Sequence, residues 1–112
     1  MVETYSPDRG DIVWISLDPT LGRELQKRRP ALILTPKAYN LKTSLALIVP
    51  ITSKAKGYSF EVALPIDLSI QGVILSDQIR SIDWRSRDAQ FITTAPIALI
   101  NAVRAKQKAL LP

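Results

Sequence analysis

The chain contains no cysteine and no histidine in 112 residues. Without cysteine there is no disulfide framework and no thiolate nucleophile. Without histidine as well, the usual zinc ligands and the Ser–His and Cys–His nucleophile systems are excluded. Proton chemistry in such a chain must run on carboxylates, tyrosine, lysine, arginine or hydroxyls. No run of about 18 apolar residues occurs, which excludes a transmembrane helix. The start, Met1-Val2-Glu3-Thr4-Tyr5, lacks the basic stretch and apolar core of a signal peptide. The expected location is therefore cytoplasmic, with no membrane association. There is no internal repeat, low-complexity segment or linker, so residues 1–112 are expected to form a single domain.

Charge is present in excess of one sign. Fifteen Lys and Arg stand against ten Asp and Glu, a net charge of +5. That balance favours an anionic partner such as nucleic acid or an acidic protein; an inert basic surface would read the same. Four of the cations fall in one stretch, Gly22-Arg23-Glu24-Leu25-Gln26-Lys27-Arg28-Arg29-Pro30, which runs straight into the apolar segment Ala31-Leu32-Ile33-Leu34-Thr35. A charged loop joined to a rigid strand is a common way to present functional side chains. Arg29 stands at the expected hinge.

Along the chain, Ser6 to Asp11 is turn chemistry and Ile12 to Leu17 a buried strand. Asp18-Pro19-Thr20 breaks it before the charged loop. The second strand starts at Ala31. Ala38 to Thr43 forms a helical turn or loop. Leu45 to Thr52 is a third strand, whose Pro50 points to an edge or a bulge. Ser53-Lys54-Ala55-Lys56-Gly57-Tyr58 is a second basic loop. Phe60–Leu64, Val73–Ser76 and Ile79–Trp84 read as further strands, the last half-exposed, with Asp77-Gln78 a polar interruption between two of them. The segment 85–93 has room for one more. Thr94-Ala95-Pro96 reads as a helix start with Thr as cap. The helix carries an apolar stripe of Ile97, Ile100, Val103, Leu110 and Leu111, with cations in its second half. Together these elements predict a mainly β protein with a C-terminal helix, a small barrel-like fold.

The candidate chemistry lies in Glu24 and Arg29, in Thr52 and Ser53 beside Lys54 and Lys56, and in Asp77 and Gln78. No metal-ligand spacing and no phosphate-cradling glycine loop occur. Two basic loops with Tyr58 and Trp84 nearby suit single-stranded nucleic acid, where bases stack on aromatic rings beside a cationic track. If that ligand is RNA, its 2′-hydroxyl is a built-in nucleophile. The protein then needs a base, a proton for the leaving 5′-oxygen and positive charge at the phosphorus. A carboxylate, an arginine and a hydroxyl donor meet those needs with no metal or cofactor.

The residues reach a resemblance at this point. Arg9-Gly10-Asp11-Ile12-Val13-Trp14, Leu17-Asp18-Pro19-Thr20, Gly22-x-Glu24 and Arg29-Pro30 before an apolar strand occur in order. So do Val49-Pro50-Ile51-Thr52, Lys56-Gly57-Tyr58, Gly72-Val73, Asp77-Gln78 and Ser81-Ile82-Asp83-Trp84-Arg85. The chain resembles the MazF/PemK family of toxin endoribonucleases over almost its whole length. The resemblance implies an SH3-like barrel of the PemK/CcdB-like toxin fold, forming a homodimer. It implies metal-independent cleavage of single-stranded RNA at short sequences, leaving a 2′,3′-cyclic phosphate and a 5′-hydroxyl. It also implies a cognate antitoxin with an acidic, partly disordered tail. On matching positions, Arg29 is the arginine at the transition state, Thr52 the hydroxyl donor to the scissile phosphate and Glu24 the loop base. Asp77 matches an acidic position that contacts RNA and stands second to Glu24 as base. Lys27, Arg28, Ser53, Lys54, Lys56 and Gln78 complete the RNA-binding set. Two departures stand out. Lys27 and Arg28 occupy positions where the loop often has glycine, and Leu75 replaces an arginine found before Asp-Gln in PemK-type members. The alternatives are a gyrase-poisoning toxin and a non-catalytic nucleic-acid-binding module on the same fold. The ending Lys108-Ala109-Leu110-Leu111-Pro112 lacks the Trp-Gly-Ile motif of the former.

Overall fold

A computed structural model describes residues 5–16 and 28–112. The expectations for Leu17 to Lys27, Glu24 and Lys27 among them, fall outside these residues. Seven antiparallel strands run β1 (Asp11–Ser16), β2 (Arg28–Ile33), β3 (Leu45–Thr52), β4 (Glu61–Ala63), β5 (Val73–Leu75), β6 (Arg80–Asp83) and β7 (Gln90–Thr94). Helix α1 (Lys37–Thr43) joins β2 to β3, and α2 (Ile97–Leu110) ends the chain. The expected mainly β architecture with a C-terminal helix is what the chain forms.

The sheet order is β4-β5-β3-β2-β1-β7, with β6 also paired to β3. Its axis is β3, built from Leu, Ile and Val that suit a strand covered on both faces. Period-two alternation sends its side chains to two cores. Val49 and Ile51 join Ile12, Leu32, Ile74, Leu99 and Val103 beneath α2. Ala46 and Ile48 join Val13, Ile15, Ala31, Ile33, Ile82 and Trp84 on the other face.

The sequence pointed Pro50 to an edge or a bulge; it lies instead in the central strand. Leu34 donates its amide to the Leu47 carbonyl at 2.8 Å. In that register Ala31 and Pro50 are a pair whose amides point away from each other. The Pro50 nitrogen therefore faces the far side of β3. There the partner changes from β6, whose first residue Arg80 stands opposite Ile48, to β5, whose Ile74 stands opposite Ile51. No ladder bond is required at that point, so proline is tolerated. The turn from β5 to β6 sits opposite, closed by the Gln78 amide on the Leu75 carbonyl at 3.1 Å, and it carries Asp77 and Gln78.

Two further expectations are corrected. Thr94 belongs to β7, and α2 is preceded by Pro96 with no side-chain cap. The buried stripe of α2 is Leu99, Ile100 and Val103, while Ile97 is 70% exposed. At 100° per residue Ile97 stands about 120° from Val103, off the stripe. Leu110 is aligned with Val103 but is 45% exposed.

Asn40 is the polar centre of the second core, fully buried. Its amide donates to the carbonyls of Pro7 at 2.8 Å and Thr35 at 2.9 Å. Its side-chain oxygen accepts from the Thr35 hydroxyl at 2.7 Å, and its own carbonyl accepts from the Trp84 indole at 2.9 Å. Trp84, 3% exposed, is thereby a core residue. Among the described residues no helix is long and apolar enough to cross a membrane.

Candidate functional site

The site forms where β3 ends. Thr52 pairs with Val73 at the start of β5, and Gly72 crosses the Thr52 backbone closely. A Cβ on Gly72 would lie 2.4 Å from the Thr52 carbonyl oxygen, and Gly72 holds φ at +134°. Only glycine permits both. The close crossing sets the position of Thr52. Its Oγ1 accepts the Lys54 amide at 3.2 Å, which occupies a lone pair and leaves the hydroxyl proton for an acceptor in front of it.

Two clefts meet at Thr52. One, of about 390 Å³, is lined by Trp14, Arg28, Arg29, Pro30, Thr52 and Ser53 among others. The other, of about 530 Å³, is lined by Thr52, Lys54, Lys56, Tyr58, Glu61 and Gln78, with Leu75 as an apolar wall. The structure thus gathers Arg28, Arg29, Thr52, Ser53, Lys54, Lys56 and Gln78 along one continuous concave surface. Cations flank a fixed hydroxyl on both sides.

Arg29 was expected at the hinge between loop and strand. It lies within β2, paired with Ile15 of β1, because the antiparallel pairing of β1 and β2 continues beyond the apolar run. It is exposed and has no hydrogen-bond or ion-pair partner among the described residues. Its neighbour differs: Arg28 bonds the Asp88 carboxylate at 3.3 Å and the Asp88 carbonyl at 3.3 Å. One guanidinium is engaged with the β6–β7 turn, and the next faces the cleft with no partner among the described residues.

The second basic loop is held from inside. The Glu61 carboxylate accepts the amides of Lys56 at 2.9 Å and Gly57 at 3.1 Å. The Tyr58 hydroxyl donates to Asp77, and this hydrogen bond to a carboxylate, with the field of Glu61 behind it, raises the phenol pKa. The other oxygen of Asp77 is buried and has no hydrogen-bond partner among the described residues. Asp77 lines neither cleft.

Trp14 and Glu61 enter the site beyond the residues singled out from sequence, while Tyr58, named there as an aromatic beside the basic loops, lines the cleft and Trp84 does not. Trp14 was expected in the core. It shares a face with Ile12, but it stands 39% exposed in the Arg29 cleft. Its place near the polar end of β1, next to the cationic stretch, was the available signal. Glu61 announced itself only as a lone carboxylate in an apolar strand after a basic loop. Among the described residues no three His, Cys, Asp or Glu side chains gather as a metal site.

This fold and this basic cleft define a class. Residues 8–111 match the family described as PemK-like, MazF-like toxins of type II toxin–antitoxin systems, and the chain belongs to that family. Among individual relatives, it is 43% identical over 111 residues to the endoribonuclease toxin MazF of Escherichia coli, covering 99% of each chain. It is 38% identical over 108 residues to the endoribonuclease PemK of Escherichia coli, covering 93% of this chain and 81% of that one. Its fold superposes on MazF from Deinococcus radiodurans with a TM-score of 0.88 and 49% identity, over 96% of this chain and 98% of that chain. A MazE–MazF structure from the same organism matches with a TM-score of 0.86 and 46% identity, over 96% and 97% of the two chains.

Proposed function

We propose that this chain is an endoribonuclease toxin that cuts single-stranded RNA, mRNA above all, at short sequences and so stops translation and growth. The observation that carries this reading is that Thr52 lines two cationic clefts, one of which also holds Arg29. The names of its relatives as endoribonucleases support it.

The reaction is a transesterification within the substrate. The 2′-oxygen attacks the adjacent phosphorus, a 2′-O–P bond forms, and the bond from phosphorus to the 5′-oxygen breaks. The products are a 2′,3′-cyclic phosphate and a 5′-hydroxyl. Glu24 takes the proton from the 2′-hydroxyl. The Thr52 hydroxyl, its lone pair already held by the Lys54 amide, donates to a non-bridging oxygen. Arg29 stabilises the charge that grows on the phosphorane, where fixed charge acts most strongly, and donates a proton to the leaving 5′-oxygen, recovering it from solvent as Glu24 releases the one it took. Lys27, Arg28, Ser53, Lys54, Lys56 and Gln78 hold the strand on either side, and no metal or cofactor takes part. Residues 1–112 work as one domain in a cytoplasmic homodimer. The MazE–MazF structures of relatives support a cognate antitoxin as partner, with an acidic, partly disordered tail that competes with RNA for the cleft.

The test is cleavage of a long single-stranded RNA in EDTA, wild type beside Arg29→Ala, with fragment ends mapped. Discrete cuts ending in cyclic phosphate, lost in the variant at a cost of about 3–4 kcal/mol in transition-state stabilisation, support the reading. Intact RNA with the wild type, or equal cutting by the variant, refutes it.

A further inference from the structure

Tyr58 is held in a way that its exposure does not explain. It is 45% exposed, so burial does not account for its order. Yet the hydroxyl is bonded to Asp77. The ring meets Phe60 at 6.1 Å and 60°, a tilted contact that leaves face-to-face stacking unused among the described residues. The backbone is fixed on both sides. The Glu61 amide donates to the Tyr58 carbonyl at 3.0 Å, Glu61 holds the Lys56 and Gly57 amides, and Lys106 of α2 donates to the Ser59 carbonyl at 2.6 Å. Ordering an exposed aromatic side chain costs conformational entropy with little apolar gain. That cost is offset when the ordered face meets a ligand, because a preorganised platform loses less on binding.

The surroundings name the ligand. Tyr58 lines the same cleft as Thr52, Lys54, Lys56 and Gln78. An aromatic ring, two ammonium groups and a side-chain amide match a nucleobase with its flanking phosphates. Asp77 cannot serve RNA in the same way. One of its oxygens is taken by Tyr58, the other is buried, and a free carboxylate would repel phosphate.

We propose that Tyr58 is a stacking platform for a nucleobase beside the scissile phosphate, and that Asp77 is the positioning residue that holds it there. This reassigns Asp77 from RNA contact or general base, and it rests on the ribonuclease reading. The test has two readouts. The first is affinity for an unstructured RNA containing all four bases, measured across a salt series in the Arg29→Ala protein. The second is kcat and KM in the otherwise unaltered enzyme. Tyr58→Ala weakens binding about tenfold with an unchanged salt slope, since no phosphate contact is lost, whereas Lys54→Ala lowers the slope by about 0.7. Tyr58→Trp, which keeps a ring, retains most of the affinity. Tyr58→Phe and Asp77→Asn each raise KM about two- to threefold with kcat unchanged, and the double variant is no worse than either alone. Binding by Tyr58→Ala within twofold of the parent overturns the platform, as does a salt slope that falls with it, which marks collapse of the loop. A large kcat loss from Asp77→Asn in the Tyr58→Phe background overturns the role given to Asp77. If the wild type leaves RNA intact while Tyr58→Ala still weakens binding, the platform stands and the ribonuclease reading falls. If the protein binds no RNA, both fall.

Discussion

Replacing Gly72 by alanine tests how the fold positions the reacting centre, without touching any group that contacts RNA. The added Cβ would stand 2.4 Å from the Thr52 carbonyl oxygen and 3.0 Å from the Thr52 carbonyl carbon. Both are backbone atoms, so no side chain can swing aside. To bring the oxygen contact to 3.0 Å the two strands must part by at least 0.6 Å at this crossing. The backbone itself is at φ +134°, where an L side chain adds about 1–3 kcal/mol of strain. Together the expected loss of stability is about 3 kcal/mol. A shift of about 1 Å at Thr52 misaligns its hydroxyl with the phosphate and lowers kcat about 100-fold. The assay is single-turnover cleavage in EDTA beside urea denaturation. Gly57→Ala is the comparison for stability: φ is +78°, but its Cβ meets nothing within 4 Å, so only the backbone strain remains, about 1 kcal/mol. If Gly72→Ala is no less stable than Gly57→Ala and cuts RNA at the wild-type rate, the close crossing does not constrain Thr52.

Asn40→Ala removes three side-chain hydrogen bonds in a fully buried site and leaves their partners unpaired. It should destabilise the protein by about 3 kcal/mol in urea titrations, with KM unchanged. Asp83 accepts the amides of Ser86 and Arg85 and the Ser44 hydroxyl, and the Ser86 amide leads in holding its carboxyl below the usual range. A lowered folded pKa gives stability that is present above the ordinary aspartate value and lost as pH falls through the folded one. Asp83→Asn should therefore be less stable than wild type at pH 7, with the gap closing below about pH 4. The Arg28–Asp88 pair is exposed, 30% and 67%, so Asp88→Asn should change stability by less than about 0.5 kcal/mol. By freeing Arg28 and removing a negative charge it should tighten RNA binding, most at low salt.

Much of the fold was legible because the strands carry their own signatures. β3 is a largely apolar run rich in leucine, isoleucine and valine between a polar turn and a basic loop, and its bounds match the sequence reading from Leu45 to Thr52. What failed did so where tertiary context decides. Pro50 looked like an edge residue because a sequence does not show that the neighbour of β3 changes from β6 to β5 beside it. Trp14 looked like core because it sits inside the continuous apolar run Ile12-Val13-Trp14-Ile15, yet its side chain opens onto the Arg29 cleft. Thr94 looked like a cap because Pro96 follows, yet its backbone was already committed to pairing with Asp11 in β1. The site was legible as a set of residues. Its internal supports were not, since the bonds from Glu61 to the Lys56 and Gly57 amides and from Tyr58 to Asp77 link positions whose partners only the folded loop reveals.

The placement of Arg29 within β2 has a mechanistic consequence. A cation on a flexible loop reaches a phosphate by giving up side-chain and backbone freedom together. Arg29 has already surrendered the backbone part through its pairing opposite Ile15, so its guanidinium reaches the developing charge with less to lose. Thr52 is fixed in the same manner, by the β5 pairing and the Gly72 crossing. The two groups that must face the phosphorane therefore stand on neighbouring strands of one sheet, β2 and β3, and their separation is set by the strand spacing of about 4.8 Å per step rather than by a loop. Glu24, between β1 and β2 in sequence, falls outside the described residues. Substitutions at Arg29 and Thr52 should therefore alter the charge stabilisation at the scissile phosphate more than they alter which RNA sequences are cut.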